Sequence, residues 1–239
     1  MASNFYIPES AMAISAHPDD NEFTCVGTLA RWIMAGTRVI YVLCTSGDVG
    51  IDEPGMTREK ATQIREAESL EAARIAGINQ VVFLREPDGL LQPTLELRKK
   101  IVREIRKHKP EVLLSGDPTI VWSGEDYINH PDHRAAAQAA LDAAFPAAGN
   151  PLFYPELLSQ EGLQPHSVKE IWISLTQEPN IHMDVTDLWE TKIRALCEHK
   201  SQIGEPQKLA ERMRSRYTPE STPEDPRYEE TFKRVVFPG

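Results

Sequence analysis

Four short apolar runs, each followed by a stretch of helical periodicity, leave this chain few architectures to adopt. Residues 11–16, 39–44, 81–84 and 111–115 read as strands buried on both faces. After the first, Phe23, Val26, Leu29, Ile33 and Met34 recur at helical spacing ahead of Gly36. Ala61, Ile64, Ala67 and Leu70 mark a second helix that Thr57 caps and that ends near Gly77. Leu97, Ile101 and Ile105 mark a third, closed by Pro110, and a fourth runs from His130 through an alanine-rich stretch to Phe145. Strands that alternate with helices pair in parallel, with the helices on both faces. The predicted fold is α/β, a Rossmann-like three-layer sandwich with a mostly parallel sheet.

Beyond Pro146 the pattern changes. Pro151, Pro155 and Pro165 interrupt a loop, strands follow at 170–175 and 183–185, and Trp189, Ile193, Leu196 and Ile203 share one face of a helix that Gly204 and Pro206 stop. Residues 215–227 hold three prolines and many charges and read as an irregular arm. With no internal repeat and no clear linker, one domain is expected over 1–239: a core of about 1–145 and a C-terminal extension of about 146–239 packed on it. Thirty-six acidic against 26 basic residues, net −10, argue against nucleic acid or an anionic membrane as partner. Cys25, Cys44 and Cys197 match no paired spacing and read as reduced thiols, most of them buried. Without a leader-like start or a membrane-length apolar run, a cytoplasmic location is expected.

Two clusters carry chemistry. His17-Pro18-Asp19-Asp20 leaves the first strand, and His130-Pro131-Asp132-His133 opens the helix after the fourth. Both therefore belong to the carboxyl edge of the sheet, where ligands bind in open α/β folds. Either cluster alone is compatible with a simple helix cap. Both together, after separate strands of one sheet, point to a site. A catalytic zinc takes three protein ligands and keeps one position for water. His17, Asp20 and His133 supply those three, with iron(II) or another divalent ion as an alternative. Water on such a metal has a pKa near 7, and a neighbouring carboxylate must still take its proton. Asp19 suits that general base. His130 is then free to stabilise an oxyanion or protonate a leaving amine, and Asp132 to fix a histidine's tautomer. A glycine-poor turn after the first strand disfavours a dinucleotide-binding protein.

The same residues resemble the LmbE-like (PIG-L) family of zinc-dependent N-acetylglucosamine deacetylases, over most of the chain. Arg65-Glu66-Ala67-Glu68 is similar to its Arg-Glu-x-Glu segment and Asp88-Gly89 to its Asp-Gly turn. Asp184-Val185-Thr186 with Lys192, His199 and Ser201-Gln202 resembles its Asp-Ile-Thr…Lys…His-x-Ser-Gln pattern. Tyr228-Glu229-Glu230-Thr231-Phe232 is similar to its C-terminal Tyr-x-Glu-x-Phe. The resemblance implies a hydrolase that removes the acetyl group from a small acetamido sugar or glycoconjugate. It also implies a homo-oligomer, a hexamer or smaller, and gives Arg65 to sugar or phosphate groups of the substrate. Where mycothiol-pathway relatives carry a tyrosine two residues before the first histidine of the second cluster, this chain has Ile128, with Tyr127 beside it as a substrate-binding candidate. The competing readings are a mycothiol- or bacillithiol-conjugate amidase and a non-catalytic metal- or sugar-binding module. Further candidates are Asp48 and Asp88, as hydroxyl ligands or turn caps. His182 reads as a structural residue or as one that reaches the pocket from its own or a neighbouring subunit. Trp122 and Trp172 read as packing residues; His108, His166 and His199 read as structural or surface histidines.

Overall fold

Strand β1 (Ser10–Ser15) divides its side chains between two cores, Ala11 and Ala13 on one face and Met12 and Ile14 on the other. It is the centre of the fold in a computed structural model that describes residues 6–124 and 127–238. After it come α1 (Asp20–Thr24), α2 (Val26–Met34), β2 (Arg38–Thr45), α3 (Arg58–Ala76), β3 (Gln80–Glu86), α4 (Leu95–His108) and β4 (Val112–Gly116). A two-residue hairpin, β5 (Trp122–Ser123) and β6 (Tyr127–Ile128), leads into α5 (Pro131–Asp142). The remainder comprises α6 (Pro155–Ser159), β7 (Glu170–Ser174), β8 (Ile181–Asp184), α7 (Trp189–Cys197), α8 (Pro206–Arg214) and β9 (Glu229–Val236).

Seven strands form one sheet in the order β3-β2-β1-β4-β7-β9-β8. The first five are parallel, and β9 runs antiparallel between β7 and β8. Helices α4 and α5 cover one face, with Leu97, Ile101, Ala136 and Ala140 against Met12, Ile14 and Val42. Helices α2 and α7 cover the other, with Leu29, Trp32, Ile193 and Leu196 against Ala13 and Tyr41. The expected α/β sandwich is therefore the observed one, and the C-terminal segment adds three strands to its sheet. Among the described residues no helix is long and apolar enough to cross a membrane.

Several expectations fail locally, each for a tertiary reason. The first helix breaks at Cys25 (φ −140°), and Met34 at its far end is exposed. The break is stabilised from outside: Glu230 on β9 accepts from the Gly27 and Thr28 amides, at 3.0 and 2.7 Å, which gives α2 a capped N-terminus of its own. The apolar stripe of α3 was set a step out of phase. Ile64, Ala67 and Leu70 face solvent, whereas Ala61, Arg65, Ser69, Ala72 and Ala76 are buried. Arg65 turns inward because its partners, the Pro18 and Gly47 carbonyls and the Asp19 carboxylate, lie beneath. Helix α5 ends at Asp142 rather than Phe145, which is exposed and extended (φ −140°, ψ 126°) as the residue before a proline prefers. Ile203 lies beyond the end of α7, and α8 and β9 occupy a region whose charge hid their periodicity. Residues 215–228 form no helix or strand, as the proline content predicted. Trp172 packs edge-on against Trp32, but Trp122 is 65% exposed on the hairpin and does not enter the core. Cys25 and Cys44 are buried free thiols and Cys197 is half-buried.

Glu230 also holds Lys192 Nζ at 2.6 Å, and both side chains are almost fully buried. Glu230→Ala strands that ammonium and leaves the α2 amides without an acceptor. Stability is expected to fall by about 3–5 kcal/mol. Urea unfolding measures it, and a loss below about 1 kcal/mol would contradict this account.

Candidate active site

The turn after β1 is built by Asp20 folding back on its own backbone. Its Oδ2 accepts from the amides of Ala16 and His17, at 3.1 and 2.8 Å, which leaves Oδ1 free to face His133 Nε2 at 3.1 Å. To make this turn Asp19 adopts φ 100°, a conformation that costs a non-glycine residue about 1–3 kcal/mol. Arg65 holds it there. Its guanidinium, 3% exposed, donates to Pro18 O at 2.7 Å and Gly47 O at 3.3 Å and lies 3.5 Å from Asp19 Oδ2. A Cβ at Gly47 (φ 65°) or Gly50 would collide with that guanidinium, which explains both glycines of the loop after β2.

Hydrogen bonds fix the histidines. His17 Nε2 lies 3.0 Å from Asp88 Oδ1 and 3.5 Å from Asp132 Oδ2, so its proton sits there and Nδ1 faces Asp20, 3.6 Å away. His133 Nδ1 meets Asn129 Oδ1 at 2.9 Å, which leaves Nε2 as the bare nitrogen. His130 caps α5: its Nδ1 accepts from the Asp132 amide at 3.2 Å, so Nε2 carries the hydrogen. Asp132, fully buried, accepts from the amides of Gly89 and Leu91 at 2.7 and 3.2 Å and so pins the loop after β3 to α5.

Charge accumulates on this edge. Burial opposes protonation of His17, yet hydrogen bonds from Asp132, Asp20 and Asp88 push its pKa up to about 12. Burial also works against His133, whose pKa Asp20 nevertheless raises. Burial and the charge of His17 depress that of His130, which favours a neutral ring. Burial and the adjacent Asp20 push the Asp19 carboxyl up to about 7, against the pull of Arg65.

Two groups bring metal-competent atoms within 4.8 Å of one another among the described residues: His17, Asp20 and His133, and His17, His130 and Asp132. In the second, His130 Nδ1 and both Asp132 oxygens are already committed to amides. The first keeps one uncommitted donor atom on each residue, and the acid-rich surroundings favour a cation. This trio fits a divalent metal.

A cleft of about 470 Å³ opens over the trio, lined also by Phe23, Val49, Asp19, Asp88, Tyr127 and Gln202. Of the residues singled out as substrate ligands, Arg65, Asp88 and Tyr127 line it. Asp88 is occupied by His17 and by the Val49 amide at 3.0 Å. Asp48 lies outside the cleft and accepts from the Asp88 amide and from Arg58, at 3.1 and 2.9 Å, as a loop tie. His182 also lies elsewhere, exposed on the sheet's edge strand and 2.9 Å from Glu229. Sequence reasoning missed Asn129, although its i, i+4 spacing to His133 was a usable signal. It also undervalued His199, which is fully buried 3.5 Å from Glu22 behind α1. Gln202 enters the cleft by donating to Gly50 O at 3.0 Å, an approach no local pattern announces.

Fold and site together define an α/β protein with a candidate metal-ligating trio at the carboxyl edge of a mostly parallel sheet. A family model described as PIG-L, GlcNAc-PI de-N-acetylase, matches residues 12–144, more than half of the chain. The chain belongs to this family. Diacetylchitobiose deacetylase of Thermococcus kodakarensis is 34% identical over 82% of this chain and 71% of its own. The structure of N,N'-diacetylchitobiose deacetylase from Pyrococcus horikoshii, complexed with its inhibitor, superposes with a TM-score of 0.85 at 29% identity. It covers 96% of this chain and 84% of its own. GalB, the 4-carboxy-2-hydroxymuconate hydratase of Pseudomonas putida, shares the fold at a TM-score of 0.75, with 20% identity and 97% of each chain covered. Fold alone therefore does not fix the reaction; the site must.

Asn129→Ala removes the acceptor that holds the His133 tautomer. Metal affinity is expected to fall about 10–100-fold, read by competition with a chelator. An unchanged affinity would remove Asn129 from the site.

Proposed function

We propose that this chain is a metal-dependent N-deacetylase that hydrolyses the acetamido group of N-acetylglucosamine-type sugars to free amine and acetate. The observation that carries the reading is the convergence of one carboxylate and two imidazoles between a carboxyl group pushed up to about 7 and a neutral histidine with its Nε2–H free. Membership of a de-N-acetylase family and the likeness to chitobiose deacetylases support the acetamido sugar as the substrate class.

His17, Asp20 and His133 hold the metal, for which zinc is the best match to two imidazoles and one carboxylate. Once bound, it supplies a Lewis acid and an acidified water. Asp19 receives the proton of the attacking water at its carboxylate, and a pKa near neutrality lets it accept and then release that proton. His130 donates from Nε2 to the oxygen on which negative charge grows. As that carbon–nitrogen bond breaks, the proton on Asp19 is available to the departing amine. Arg65 keeps Asp19 in its strained conformation from below and contributes the positive edge of the cleft. The cleft accommodates one or two sugar rings, with Tyr127 and Phe23 offering apolar surface. Because Gln202 lines the cleft and Glu230 caps α2, residues 1–239 act as one catalytic unit.

Chelation is expected to abolish amine release from diacetylchitobiose, and zinc to restore it. Asp19→Asn is expected to retain stoichiometric zinc while kcat/KM drops about 10²–10⁴-fold. A metal-loaded Asp19→Asn within tenfold of wild type would remove Asp19 as the base. No amine released from any acetamido sugar by the zinc-loaded protein would sink the main reading.

A further inference from the structure

A second cavity shares Asp20 and His133 with the cleft. It lies in the crevice over the carboxyl ends of β1, β4 and β7, between α1 and α5, where the strand order reverses around β1 and β4. Ile14, Leu114 and Ala137 wall it, Gly116 widens it, and the exposed Leu175 stands at its mouth. Three of its hydroxyls are committed to carbonyls: Ser115 Oγ donates to Ile14 O at 2.9 Å, Ser174 Oγ to Ser115 O at 3.2 Å and Thr24 Oγ1 to Asp20 O at 2.8 Å, whereas Ser15 Oγ and Asn21 Nδ2 find no partner among the described residues. Asp20 and His133 belong to both cavities, so the metal trio stands at their junction.

An amide has two sides. The cleft that holds Arg65, Asp88 and Gln202 is charged and open, as a sugar requires. The second cavity is mainly aliphatic, as an acyl chain requires. We propose that this slot is the acyl subsite and that the enzyme also deacylates N-acyl glucosamines with chains longer than acetyl, with Ala137 and Gly116 setting the length it accepts. The proposal rests on the amide-hydrolase reading above and adds the class of acyl group to it. The cavity of about 50 Å³ is roughly three to five times the 10–15 Å³ that one water needs, which leaves room beyond a single methyl group. Each extra methylene placed there leaves water for an aliphatic wall and gains about fourfold in binding. The chemistry is unchanged: water adds to the acyl carbon, the carbon–nitrogen bond breaks, and the products are the free amine and a carboxylate of the same chain length.

Gly116 and Ala137 are the residues whose enlargement narrows the slot. A Cβ at Gly116 would meet the Ala137 Cβ at 3.9 Å, an ordinary contact, so Gly116→Ala fits the backbone while taking space from the slot. Ala137→Leu takes more.

Two series test this on the zinc-loaded protein. In the first, kcat/KM is measured for N-acetyl-, N-propionyl-, N-butyryl- and N-hexanoyl-glucosamine. In the second, acetate, propionate and butyrate are titrated calorimetrically without turnover. Wild type is expected to hydrolyse the propionyl and butyryl sugars within about tenfold of the acetyl sugar, and to bind carboxylates more tightly by about fourfold per methylene. Gly116→Ala is expected to lower the butyryl-to-acetyl ratio and Ala137→Leu to lower it at least tenfold, with melting temperature and zinc content reporting on folding. Should Ala137→Leu fail to fold, the Gly116→Ala ratio decides. Ready hydrolysis of the acetyl sugar with the propionyl sugar more than a hundredfold worse, and carboxylate affinity that falls with length, would overturn the slot. Carboxylate affinity rising with length while no sugar is cleaved would leave the slot standing and overturn the sugar-deacetylase reading instead.

Discussion

A buried guanidinium under a strained turn is the constraint on which the rest depends. A charge placed where Arg65 sits must be paired and hydrogen-bonded or it destabilises the fold by several kcal/mol. Its partners are Asp19 and the carbonyls of Pro18 and Gly47, and these groups can meet only if Asp19 takes a positive φ. The strain at Asp19 is thus offset by pairing the Arg65 charge through its two terminal nitrogens, while Nε has no partner among the described residues. Asp19 and Asp20, neighbours in sequence, are driven to different tasks. Asp20 spends one oxygen on the Ala16 and His17 amides and turns the other toward His133, while Asp19 points at the cation. Glycine at positions 47 and 50 follows from the same guanidinium, since any side chain there would displace it.

Segments far apart in sequence close this arrangement. Ser201 donates from its amide and hydroxyl to Glu68, at 2.8 and 2.7 Å, one turn along α3 from Arg65. The adjoining Gln202 reaches Gly50. Glu230 arrives from the last strand to cap α2 and so stabilises the break that lets α1 start immediately after Asp19. The segment after α5 supplies none of the three proposed donors, yet it helps set where they stand. A hydrolytic site needs its groups held within fractions of an ångström, and these distant ties are how a two-turn cluster achieves that.

The strands and the two clusters were legible because their physics is local. A run buried on both faces of a parallel sheet is apolar without alternation, and a histidine that opens a helix at the sheet's carboxyl edge faces the crevice. What stayed hidden was non-local. Ile64 and Leu70 look like the buried stripe of α3, but burial there is decided by the carbonyls and the carboxylate awaiting Arg65 and by the Ser201 amide and hydroxyl that donate to Glu68. The break at Cys25 depends on a carboxylate more than two hundred residues away. Trp122 carries the composition of a core residue and sits on an exposed hairpin. His182 stands exposed on the edge strand β8 beside Glu229, away from its own chain's cleft. Asp48 supports the loop that carries Asp88 instead of meeting a ligand itself.

The electrostatics explain why such a site is made of carboxylates at all. Asp20, Asp88 and Asp132 surround His17 within 3.6 Å, and Asp19 stands beside them with its own charge half suppressed. Left alone, that much negative charge in a half-buried crevice is costly, and His17 responds by holding a proton. A divalent cation at the trio answers the same demand more fully, because it displaces protons from imidazoles and compensates several acids at once. Placing this charge where the strand order reverses leaves one approach on each side of the trio, polar over α3 and aliphatic over β4. Asp20 and His133 line both approaches, so an amide laid across that junction would have its reacting carbon beside them.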